Sequence, residues 1–446
     1  MQEYDLIVLG TGGAGYGPAM RCRKAGWKVA VINEGPYSGT CAVRGCIPKK
    51  VLKGASEIIN SAKLLQQPGV FTNDLIASWP DLIKFKRTFT DPMPPNTEKE
   101  LREAGIELFS GAPRFVGNLQ LEVNGQQLYG KKIHIAVGAK PSKLPIAGAE
   151  YLITSDDFLE LEDLPDRMIF VGGGYISFEF AHIVAMFGVE ATILHSDDKP
   201  LSSFDKDIVD TLIEASQAAG IKIETDAAVQ QIDKQDNGFK VTTKNGRTFS
   251  ADLIVHGGGR VPAIDELNLE ASYIDYDEKQ GVSVNEKLQS TSNPNVFAAG
   301  DAAASGPPLS PVASREGAIV ADNLLGKNSK VASYVSTPSV IFSSPTVGKV
   351  GYLEAEAREK DIDFEVKITD LTRWFDSKRL GIKHAKSKIL IEKSTGKIVG
   401  AHLICNHAED LINIFSLAVE LGLTVDQLKA PIMAFPTSSD DMRDML

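Results

Sequence analysis

The sequence predicts an α/β protein that contains two similar strand–helix–strand units, each built on a parallel sheet. The first observation is an apolar run that ends in a glycine-rich turn, Leu6-Ile-Val-Leu-Gly10-Thr-Gly12-Gly-Ala-Gly15. The second is the same pattern further along the chain, Met168-Ile-Phe-Val-Gly172-Gly-Gly174-Tyr-Ile-Ser177. The third is a second apolar strand after each turn, at residues 28–32 and 191–194. A strand, a helix and a strand in this order form a parallel connection.

The bulk composition limits the kind of protein this is. The 446 residues are enough for about two to four domains of ordinary size. A formal net charge of −11 argues against binding to nucleic acids or anionic membranes. No run approaches the roughly twenty apolar residues that a membrane span requires. A strand-like segment at residues 4–9 leaves no room for a signal peptide, so the sequence predicts a cytoplasmic protein.

Further elements follow in chain order. Residues 85–104 are predicted to be helical, and residues 119–123 and 132–137 are predicted to be strands. After residue 262 the pattern becomes looser and ends in an apolar strand followed by Gly300 and Asp301. A stretch rich in serine and proline, residues 336–345, then opens a final segment of strands and helices.

The two glycine-rich turns predict dinucleotide binding, because each follows a strand and opens a helix. The first glycine permits the tight turn, and the second lets backbone amides approach a pyrophosphate. The third lets the helix pack closely on the strand, while the helix N-terminus attracts phosphate. These positions are Gly10, Gly12 and Gly15 in the first unit and Gly172, Gly174 and Ser177 in the second.

The residue that ends the second strand of such a unit commonly holds a ribose hydroxyl. Asn33 and Glu34 are the candidates in the first unit. The second unit has His195-Ser196-Asp197-Asp198 at this place, without an arginine for a 2′-phosphate. Two carboxylates would repel that phosphate, so the sequence favours NADH over NADPH. An alternative is that the two aspartates belong to an ordinary solvated loop.

The stretch Gly39-Thr-Cys41-Ala-Val-Arg44-Gly-Cys46-Ile-Pro-Lys49-Lys50 is the most informative of the sequence. On a distorted helix, Cys41 and Cys46 lie on neighbouring faces, where a strained disulfide is geometrically feasible. Strained, accessible disulfides tend to be the reducible ones. The positive charges of Arg44, Lys49 and Lys50 favour a thiolate. We therefore predict a redox-active pair.

Two other interpretations of the pair stay open, which are a metal site and a structural disulfide. Zinc requires further ligands, and no second cluster of cysteine and histidine is near in sequence. A structural disulfide is unusual in a reducing compartment. The remaining cysteines, Cys22 and Cys405, are isolated and are predicted to be small buried residues.

The chain resembles the family of glutathione reductase, dihydrolipoamide dehydrogenase and mercuric reductase, known as the class I pyridine nucleotide-disulfide oxidoreductases. The resemblance runs through the whole chain in order and rests most specifically on the two glycine turns and the cysteine motif between them. Its other motifs are Val137-Gly138-Ala139-x-Pro141, Gly172-x-Gly174-Tyr175-Ile176-x-x-Glu179, Gly259-Arg260-x-Pro262, Ala298-Ala-Gly300-Asp301 and Phe435-Pro436-Thr437-Ser438-Ser439.

The resemblance implies a homodimeric flavoprotein with FAD and NADH or NADPH as cofactors and a small molecule as substrate. It implies an α/β fold with two Rossmann-like dinucleotide-binding domains and a C-terminal α+β dimerisation domain. The expected domains are an FAD-binding domain at 1–147, an NAD(P)H-binding domain at 148–262, a central domain that completes the FAD site at 263–334 and an interface domain at 335–446.

The resemblance also implies roles for individual residues. Cys46 is expected next to the flavin, and Cys41 is expected to attack the substrate. Tyr175 would cover the nicotinamide pocket, and Glu179 would pair with a lysine beside the flavin. Either Lys49 or Lys50 fits that lysine, and Asp301 would bind the ribityl or pyrophosphate part of FAD. The other positions in matched cofactor motifs are Thr40, Gly138, Ile176, Gly259 and Gly300.

One departure from the family bears on the substrate. Disulfide-reducing members carry a histidine before the C-terminal proline as the acid–base of the exchanging thiol, and this chain has Phe435 there. Losing such a group typically costs a factor of about a hundred or more in a step that needs it. The main hypothesis is reduction of a disulfide-type substrate. The alternative, which Phe435 favours, is a mercuric-reductase-like enzyme or another metal or quinone reductase. A non-catalytic subunit is disfavoured by the intact cysteine motif.

Overall fold

The structure is a computed structural model that describes residues 1–66, 69, 75, 77–331 and 333–446. Contacts divide these residues into two compact units. The first unit comprises Met1–Lys49, Lys84–Lys143 and Gly259–Tyr334, and the second comprises Lys50–Ile83, Leu144–Gly258 and Val335–Leu446. None of the helices in the described residues combines the length and the apolar character needed to cross a membrane.

The first third of the chain alternates parallel strands with helices and then forms an antiparallel segment. Its elements are β1 (Gln2–Leu9), α1 (Gly13–Lys24), β2 (Val29–Asn33), α2 (Gly39–Arg44), α3 (Cys46–Leu64), α4 (Trp79–Thr90), α5 (Met93–Glu103), β3 (Glu107–Ser110), β4 (Arg114–Gly117), β5 (Gln120–Val123), β6 (Gln126–Ile135) and β7 (Ala139–Pro141).

The middle third repeats the parallel pattern and adds an antiparallel sheet of three strands. Its elements are α6 (Ser155–Phe158), β8 (Arg167–Val171), α7 (Tyr175–Met186), β9 (Glu190–Leu194), α8 (Lys206–Ala218), β10 (Lys222–Glu224), β11 (Val229–Gln235), β12 (Gly238–Thr243), β13 (Thr248–Ala251), β14 (Leu253–His256) and β15 (Arg260–Pro262).

The last third contains short strands, one long helix and a final α+β segment. Its elements are β16 (Tyr276–Asp277), β17 (Gly281–Val282), β18 (Val296–Ala298), α9 (Ser310–Leu324), β19 (Ser339–Ile341), β20 (Thr346–Gly351), α10 (Glu354–Glu359), β21 (Phe364–Asp370), α11 (Phe375–Leu380), β22 (Lys386–Glu392), β23 (Ile398–Cys405), α12 (Ala408–Leu421), α13 (Val425–Lys429) and α14 (Ser438–Met445).

The first unit is centred on a sheet with the order β3-β2-β1-β6-β5-β4, to which β18 is added beside β6. Strands β3, β2, β1, β6 and β18 run parallel to one another. Leu6, Ile7, Val8 and Leu9 of β1 are all buried, since both faces of this central strand are covered. Its carboxyl end therefore holds the first glycine turn in a fixed place.

The second unit contains the parallel sheet β10-β9-β8-β14, the antiparallel sheet β11-β12-β13 and the five-stranded sheet β19-β20-β23-β22-β21. The five-stranded sheet is antiparallel, and its apolar core includes residues of α12. The predicted fold class is confirmed, with two similar parallel sheets and a C-terminal α+β segment. The four domain boundaries stay a prediction.

Residues 85–104, which were predicted to be helical, comprise the last part of α4 and the whole of α5. The two helices are separate because Pro92, Pro94 and Pro95 follow Asp91, and a proline within a helix removes a hydrogen bond. A proline disfavours regular helix at the residue before it, yet Ile47 and Pro48 both lie in the first turn of α3. The amides of a first turn have no partner within the helix, so proline is tolerated there.

Candidate active site

The two cysteines of the motif lie on two helices separated by one residue, Cys41 within α2 and Cys46 at the start of α3. Helix α2 ends at Arg44, and Gly45 (φ −148°, ψ −109°) breaks the helix before α3 begins at Cys46. A Cβ atom on Gly45 would lie 3.0 Å from the Thr40 carbonyl oxygen and 3.3 Å from the Cys41 Cα. This close approach brings the two side chains together as thiols that are hydrogen-bonded to each other.

The environment distinguishes the two sulfur atoms. A hydrogen bond from the Cys41 thiol lowers the pKa of Cys46 to about 6, with further help from Ser310 and the positive charge of Lys49. The same interaction raises the pKa of Cys41, and burial raises it further. Cys46 is therefore the thiolate of the pair near neutral pH, and Cys41 holds the proton. The roles that the family resemblance implies for these two sulfur atoms stay a prediction.

Ser310 was missed by the sequence analysis, although it touches the reactive sulfur. Its Oγ lies 3.4 Å from the Cys46 Sγ, at the first residue of α9. Helix α1 also begins here, since a Cβ on Gly13 would lie 2.8 Å from Ser314 Oγ. Ser-Pro at 310–311 is a recognisable helix start, but a contact across more than 260 positions leaves no signal in one sequence.

The first glycine turn fits the pyrophosphate of FAD. Gly10 has φ +98°, and a Cβ there would lie 2.4 Å from the Ala136 carbonyl oxygen. A Cβ on Gly15 would lie 2.2 Å from the Gly10 carbonyl oxygen, whereas the nearest atom to one on Gly12 is 3.8 Å away. Gly12 thus leaves room for a phosphate group beside the amides that open α1.

Helix α2, which carries Cys41, begins in contact with this turn. Gly39, the first residue of α2, has φ +73°, and a Cβ on it would lie 2.5 Å from the Gly12 Cα. Thr40 and Cys41 follow within the same short helix. A dinucleotide bound at the glycine turn would therefore reach the cysteine pair, which is the arrangement that a flavin next to Cys46 requires.

Asn33 and Glu34, at the predicted ribose position, have different surroundings. Asn33 ends β2, and its Oδ1 accepts a hydrogen bond of 2.9 Å from Thr11 Oγ1 in the glycine turn. Its amide nitrogen donates to the Gly35 carbonyl oxygen. The side chain of Glu34 is exposed. Both residues are candidates to bind the ribose of FAD, and Asn33 is hydrogen-bonded to the first glycine turn.

Gly300 and Asp301 lie in a polar cluster of the first unit. Burial raises the pKa of the Asp301 carboxyl, against the opposing effect of Arg260. The Gly300 amide donates to Glu316 at 2.7 Å, and Tyr334 donates to the other oxygen of the same carboxylate. The sequence analysis missed Glu316, which is 1 % exposed and holds the loop that presents Asp301.

Gly138 and Gly259 flank the pair of short strands β7 and β15, which are antiparallel neighbours in the first unit. Gly138 has φ +73° and accepts a hydrogen bond from the Ala263 amide at 2.9 Å. Gly259 has φ +106° and accepts one from Ser142 at 3.1 Å. The structure thus places Gly138 and Gly259, both predicted cofactor positions, next to the same two-stranded antiparallel ribbon.

The second glycine turn repeats the first with one difference. Gly172 has φ +112°, and a Cβ on it would lie 2.3 Å from the Gly257 carbonyl oxygen. Gly174 is open, with that oxygen 3.5 Å from a Cβ placed on it. The third position, Ser177, packs against Gly257, where a Cβ would lie 2.0 Å from the serine Oγ. Gly257 therefore provides the space that the serine takes.

His195 occupies the predicted ribose position of the second unit. Its Nδ1 accepts a hydrogen bond of 3.1 Å from the Gly173 amide, and its Nε2 lies 3.0 Å from the Lys199 carbonyl oxygen. The neutral imidazole with a proton on Nε2 satisfies both contacts. Ser196 donates to Asp197 at 2.7 Å, and Asp197 is exposed. No hydrogen bond of His195 thus depends on a bound nucleotide.

Helix α7 carries the other predicted nicotinamide residues. Tyr175 is its first residue and is exposed, while Ile176 packs against the apolar core of this unit. Glu179 is 2 % exposed and accepts a hydrogen bond of 2.9 Å from the Phe342 amide. The ammonium of Lys50 lies 4.4 Å from the centre of the Phe342 ring. Whether Lys49 or Lys50 pairs with Glu179 stays a prediction.

The C-terminal segment exposes the residue that replaces the expected histidine. Phe435 is 83 % exposed, just before Thr437 accepts a hydrogen bond from the Asp440 amide at the start of α14. His402 is buried in β23, with its Nε2 3.1 Å from the Tyr352 carbonyl oxygen. Burial lowers the pKa of His402 to about 4.

Comparisons with known proteins agree with this geometry. The family model described as pyridine nucleotide-disulphide oxidoreductase matches residues 4–317, and the dimerisation domain of the same family matches residues 337–446. A mercuric reductase of Staphylococcus aureus is 31 % identical, over 99 % of this chain and 81 % of the relative. A glutathione reductase of a Nostoc species is also 31 % identical, over 99 % of both chains. A dihydrolipoyl dehydrogenase of Geobacillus stearothermophilus is 31 % identical, over 98 % of this chain and 94 % of the relative.

Solved structures show the same likeness. The HOCl-induced flavoprotein disulfide reductase RclA from Escherichia coli is 27 % identical, with a TM-score of 0.88 over 99 % of both chains. A Cu(II) complex of RclA is 27 % identical, with a TM-score of 0.90 over 100 % of this chain and 99 % of that one.

Proposed function

Because the chain belongs to the pyridine nucleotide-disulphide oxidoreductase family, we propose that it uses NADH to reduce a disulfide-type substrate through Cys41 and Cys46. The enzyme class follows from the family, which consists of NAD(P)H-dependent flavoproteins. The proposal concerns the substrate, the nicotinamide and the residues. The observation that carries it is the hydrogen-bonding contact between the Cys41 and Cys46 side chains, next to the start of α2 against the first glycine turn.

The residues that would hold FAD are those of the first unit described above. Gly12 and the amides that open α1 would take the pyrophosphate, Asn33 the ribose and Asp301 the ribityl or pyrophosphate region. When bound there, FAD supplies the two-electron relay between the nicotinamide and the cysteine pair. In the second unit, Gly174 would take the pyrophosphate of NADH, with Tyr175 and Glu179 at the nicotinamide.

The thiol chemistry belongs to the protein's own residues. The Cys41 thiol first gives its proton to water, because the thiolate is the nucleophile, and its sulfur then attacks one sulfur of the substrate disulfide, so that a mixed disulfide forms and one substrate thiolate leaves. The Cys46 thiolate then attacks the Cys41 sulfur, the Cys41–Cys46 disulfide forms and the second substrate thiolate leaves. Two electrons have passed from the cysteine pair to the substrate, and each departing thiolate takes a proton from water. Phe435 supplies no proton, so a substrate whose thiols leave readily as thiolates is favoured.

Anaerobic titration with dithionite tests the central claim. A long-wavelength thiolate-to-flavin absorption band after two electrons is expected in the wild-type protein and in Cys22→Ser, whose cysteine is isolated and buried. The band is expected to be absent in Cys46→Ser. If the wild-type protein shows no such band while containing its full complement of flavin, the cysteine pair does not exchange electrons with the flavin.

The choice of NADH rests on Asp197 and Asp198, which are exposed beside His195 and would repel a 2′-phosphate. Flavin reduction is therefore expected to be at least about tenfold faster with NADH than with NADPH at subsaturating concentrations. Asp197→Ser with Asp198→Ser should narrow this ratio, whereas Asp163→Ser, another exposed aspartate, should leave it unchanged. A preference for NADPH in the wild-type protein would contradict the assignment.

A second candidate function is reduction of a metal ion or a quinone. Phe435 at the usual histidine position favours it, as do relatives named mercuric reductase and a similar structure that is a Cu(II) complex. A panel of low-molecular-weight disulfides, mercuric ion, cupric ion and quinones would decide between the two. Turnover of the disulfides alone supports the main proposal. Turnover confined to metal ions or quinones replaces it with the second.

We also propose that the protein is a cytoplasmic homodimer. The dimerisation-domain match and the exposed apolar side chains of Ile432 and Phe435 support the dimer. The low cysteine content agrees with a reducing compartment. Light scattering that gives the mass of one chain at micromolar concentration would contradict the dimer.

A further inference from the structure

Lys53 is a buried cation of the second unit to which the proposed reaction gives no role. It lies within α3, three positions beyond Lys50, and it is 0 % exposed. An ammonium group is costly to bury unless other groups compensate its charge and accept its hydrogen bonds. The groups around this ammonium therefore indicate what the lysine does.

The Lys53 ammonium binds the segment between β19 and β20. It donates a hydrogen bond to Ser344 Oγ. The carboxylate of Glu57, one turn further along α3, lies 3.7 Å from the same ammonium. A hydrogen bond from a charged donor is stronger than one between neutral groups. Lys53 therefore holds Ser344 more firmly than a neutral side chain of the same length would.

Helix α7 binds the same segment at two further points. Glu179 Oε1 accepts a hydrogen bond of 2.9 Å from the Phe342 amide, and His182 Nδ1 accepts one of 3.4 Å from the Ser344 amide. Glu179 and His182 are three positions apart, so they lie on one face of the helix. Residues 342–344 are thus bound by α3 through the serine hydroxyl and by α7 through two backbone amides.

Charge links Lys53 to the same carboxylate. Glu179 is 2 % exposed, and its charge acts on the Lys53 ammonium. Burial lowers the pKa of Lys53 to about 8, so most molecules carry this charge at pH 7. His182 is neutral, since burial and the charge of Lys53 lower its pKa to about 3. The other charged groups that act on Lys53 are Glu57, Lys50 and Glu409.

We propose that Lys53 is a positioning residue for Glu179. It holds residues 342–344 through Ser344, so that the Phe342 amide keeps the Glu179 carboxylate in one orientation, and its charge attracts that carboxylate. The inference rests on the proposed function, because the place of Glu179 at the nicotinamide belongs to that proposal. Loss of Lys53 leaves the second glycine turn intact and slows the step that needs Glu179.

A purely structural role for Lys53 is the alternative. Lys53 and Glu57 are four positions apart on α3, and an ion pair at this spacing stabilises a helix by itself. The side chain of Glu57 is 39 % exposed, however, which weakens such a pair. The two roles also predict different results. A structural role affects stability alone, whereas a positioning role changes the rate of flavin reduction without changing the affinity for NADH.

Hydrogen exchange measured by mass spectrometry on the flavin-loaded protein at pH 7 tests the contact itself. Lys53→Met removes the charge and keeps an unbranched side chain. The amides of Phe342 and Ser344 should exchange at least about tenfold faster in this variant, because the segment loses its attachment to α3. Lys63→Met, on the exposed side of the same helix, should exchange there like the wild type. Unchanged exchange in a folded Lys53→Met overturns the inference.

Stopped-flow reduction of the flavin by NADH tests the consequence. The limiting rate of Lys53→Met should fall at least about tenfold, since a small misplacement of a reacting group is costly. The dissociation constant for NADH should stay within about threefold of the wild-type value. A wild-type limiting rate, or a loss confined to NADH affinity, overturns the inference alone. A wild-type flavin that NADH does not reduce overturns the proposed function and the role of Lys53 with it.

Ser344→Ala decides the matter if Lys53→Met does not fold. It removes the hydroxyl that accepts the hydrogen bond and leaves the lysine in place. Exchange at the Phe342 amide should again become faster, and the limiting rate of flavin reduction should fall, in the same directions as in Lys53→Met. Wild-type exchange together with a wild-type limiting rate in Ser344→Ala overturns the inference.

Discussion

The two glycine-rich turns solve the same steric problem in different ways. In both, the first glycine has a positive φ and lies against a backbone carbonyl, at Ala136 in the first turn and at Gly257 in the second. The third positions differ. A Cβ on Gly15 would lie 2.2 Å from the Gly10 carbonyl oxygen, whereas Ser177 is accommodated by a glycine on another loop, Gly257.

This difference shows where a glycine is required by the turn itself and where a distant neighbour decides. At Gly15 the obstacle is the backbone of the same turn, so any side chain collides with it. At Ser177 the opposing backbone lies more than seventy positions further along the chain, and the absence of a side chain on Gly257 makes room for the serine. A departure from a motif therefore has to be judged together with the residue that faces it.

Replacement of the first glycine of each turn by alanine should have the largest effect on cofactor binding. It should also show that the two turns bind different nucleotides. Gly10→Ala and Gly172→Ala each place a Cβ within 2.4 Å of backbone and impose a strained φ. Together these cost about 2 to 4 kcal/mol. We expect Gly10→Ala to be purified with little or no FAD. Gly172→Ala should keep its FAD and raise the KM for NADH by more than about tenfold.

Flavin absorbance and steady-state kinetics measure the two outcomes. Gly17→Ala is a control in the same helix as the first turn, because a Cβ there meets no atom within 4 Å. If Gly172→Ala loses FAD as readily as Gly10→Ala, the two turns do not serve separate nucleotides.

Exchange of the third positions should give a smaller and asymmetric effect. Gly15→Ser creates a clash with backbone, so we expect loss of FAD and a lower unfolding free energy, by about 1 to 3 kcal/mol. Ser177→Ala removes a buried hydroxyl that has no hydrogen-bond partner among the described residues. We expect this variant to be as stable as the wild type or more stable, by up to about 1 kcal/mol.

Thermal melting followed by far-UV circular dichroism measures both variants of this pair, because Gly15→Ser is expected to lack flavin. Gly257→Ala serves as the reciprocal test in the second unit, because its Cβ would lie 2.0 Å from the Ser177 Oγ. Gly257→Ala should be destabilising with Ser177 present and better tolerated together with Ser177→Gly. Independent effects of these two substitutions would contradict the packing argument.

The sequence predicts those parts of the site that lie within one turn or one helix. The glycine turns, the cysteine pair and the strands that carry them follow from local pattern, since φ, spacing and alternation are encoded in adjacent residues. Ser310 beside Cys46, Glu316 behind Gly300 and Gly257 opposite Ser177 are different in kind. Each is brought to the site by sheet topology, and no local pattern marks it.

Acid stability should show the last and smallest difference between the two units. Each glycine-turn helix is held by a buried histidine. His134 Nε2 contacts the Ala14 carbonyl oxygen of α1 at 2.9 Å, and His182 lies within α7 with Nε2 2.9 Å from Ser216 Oγ. Burial lowers the pKa of His134 to about 4 and that of His182 to about 3. Both are neutral in the folded protein, whereas they titrate near 6.5 when unfolded.

The unfolded chain therefore binds more protons below pH 6.5, and the stability that these neutral histidines contribute is present above that pH and lost as the pH falls toward 4. Each histidine should lower the unfolding free energy by about 1 kcal/mol between pH 7 and pH 5.5. The melting midpoint of His182→Gln should fall less over this interval than that of the wild type. His134 is hydrogen-bonded to Ala14 in the helix that follows the first glycine turn, so His134→Gln should also weaken FAD retention at pH 7. His182→Gln should leave FAD retention unchanged. Equal flavin loss in the two variants would show that the histidines do not support separate helices.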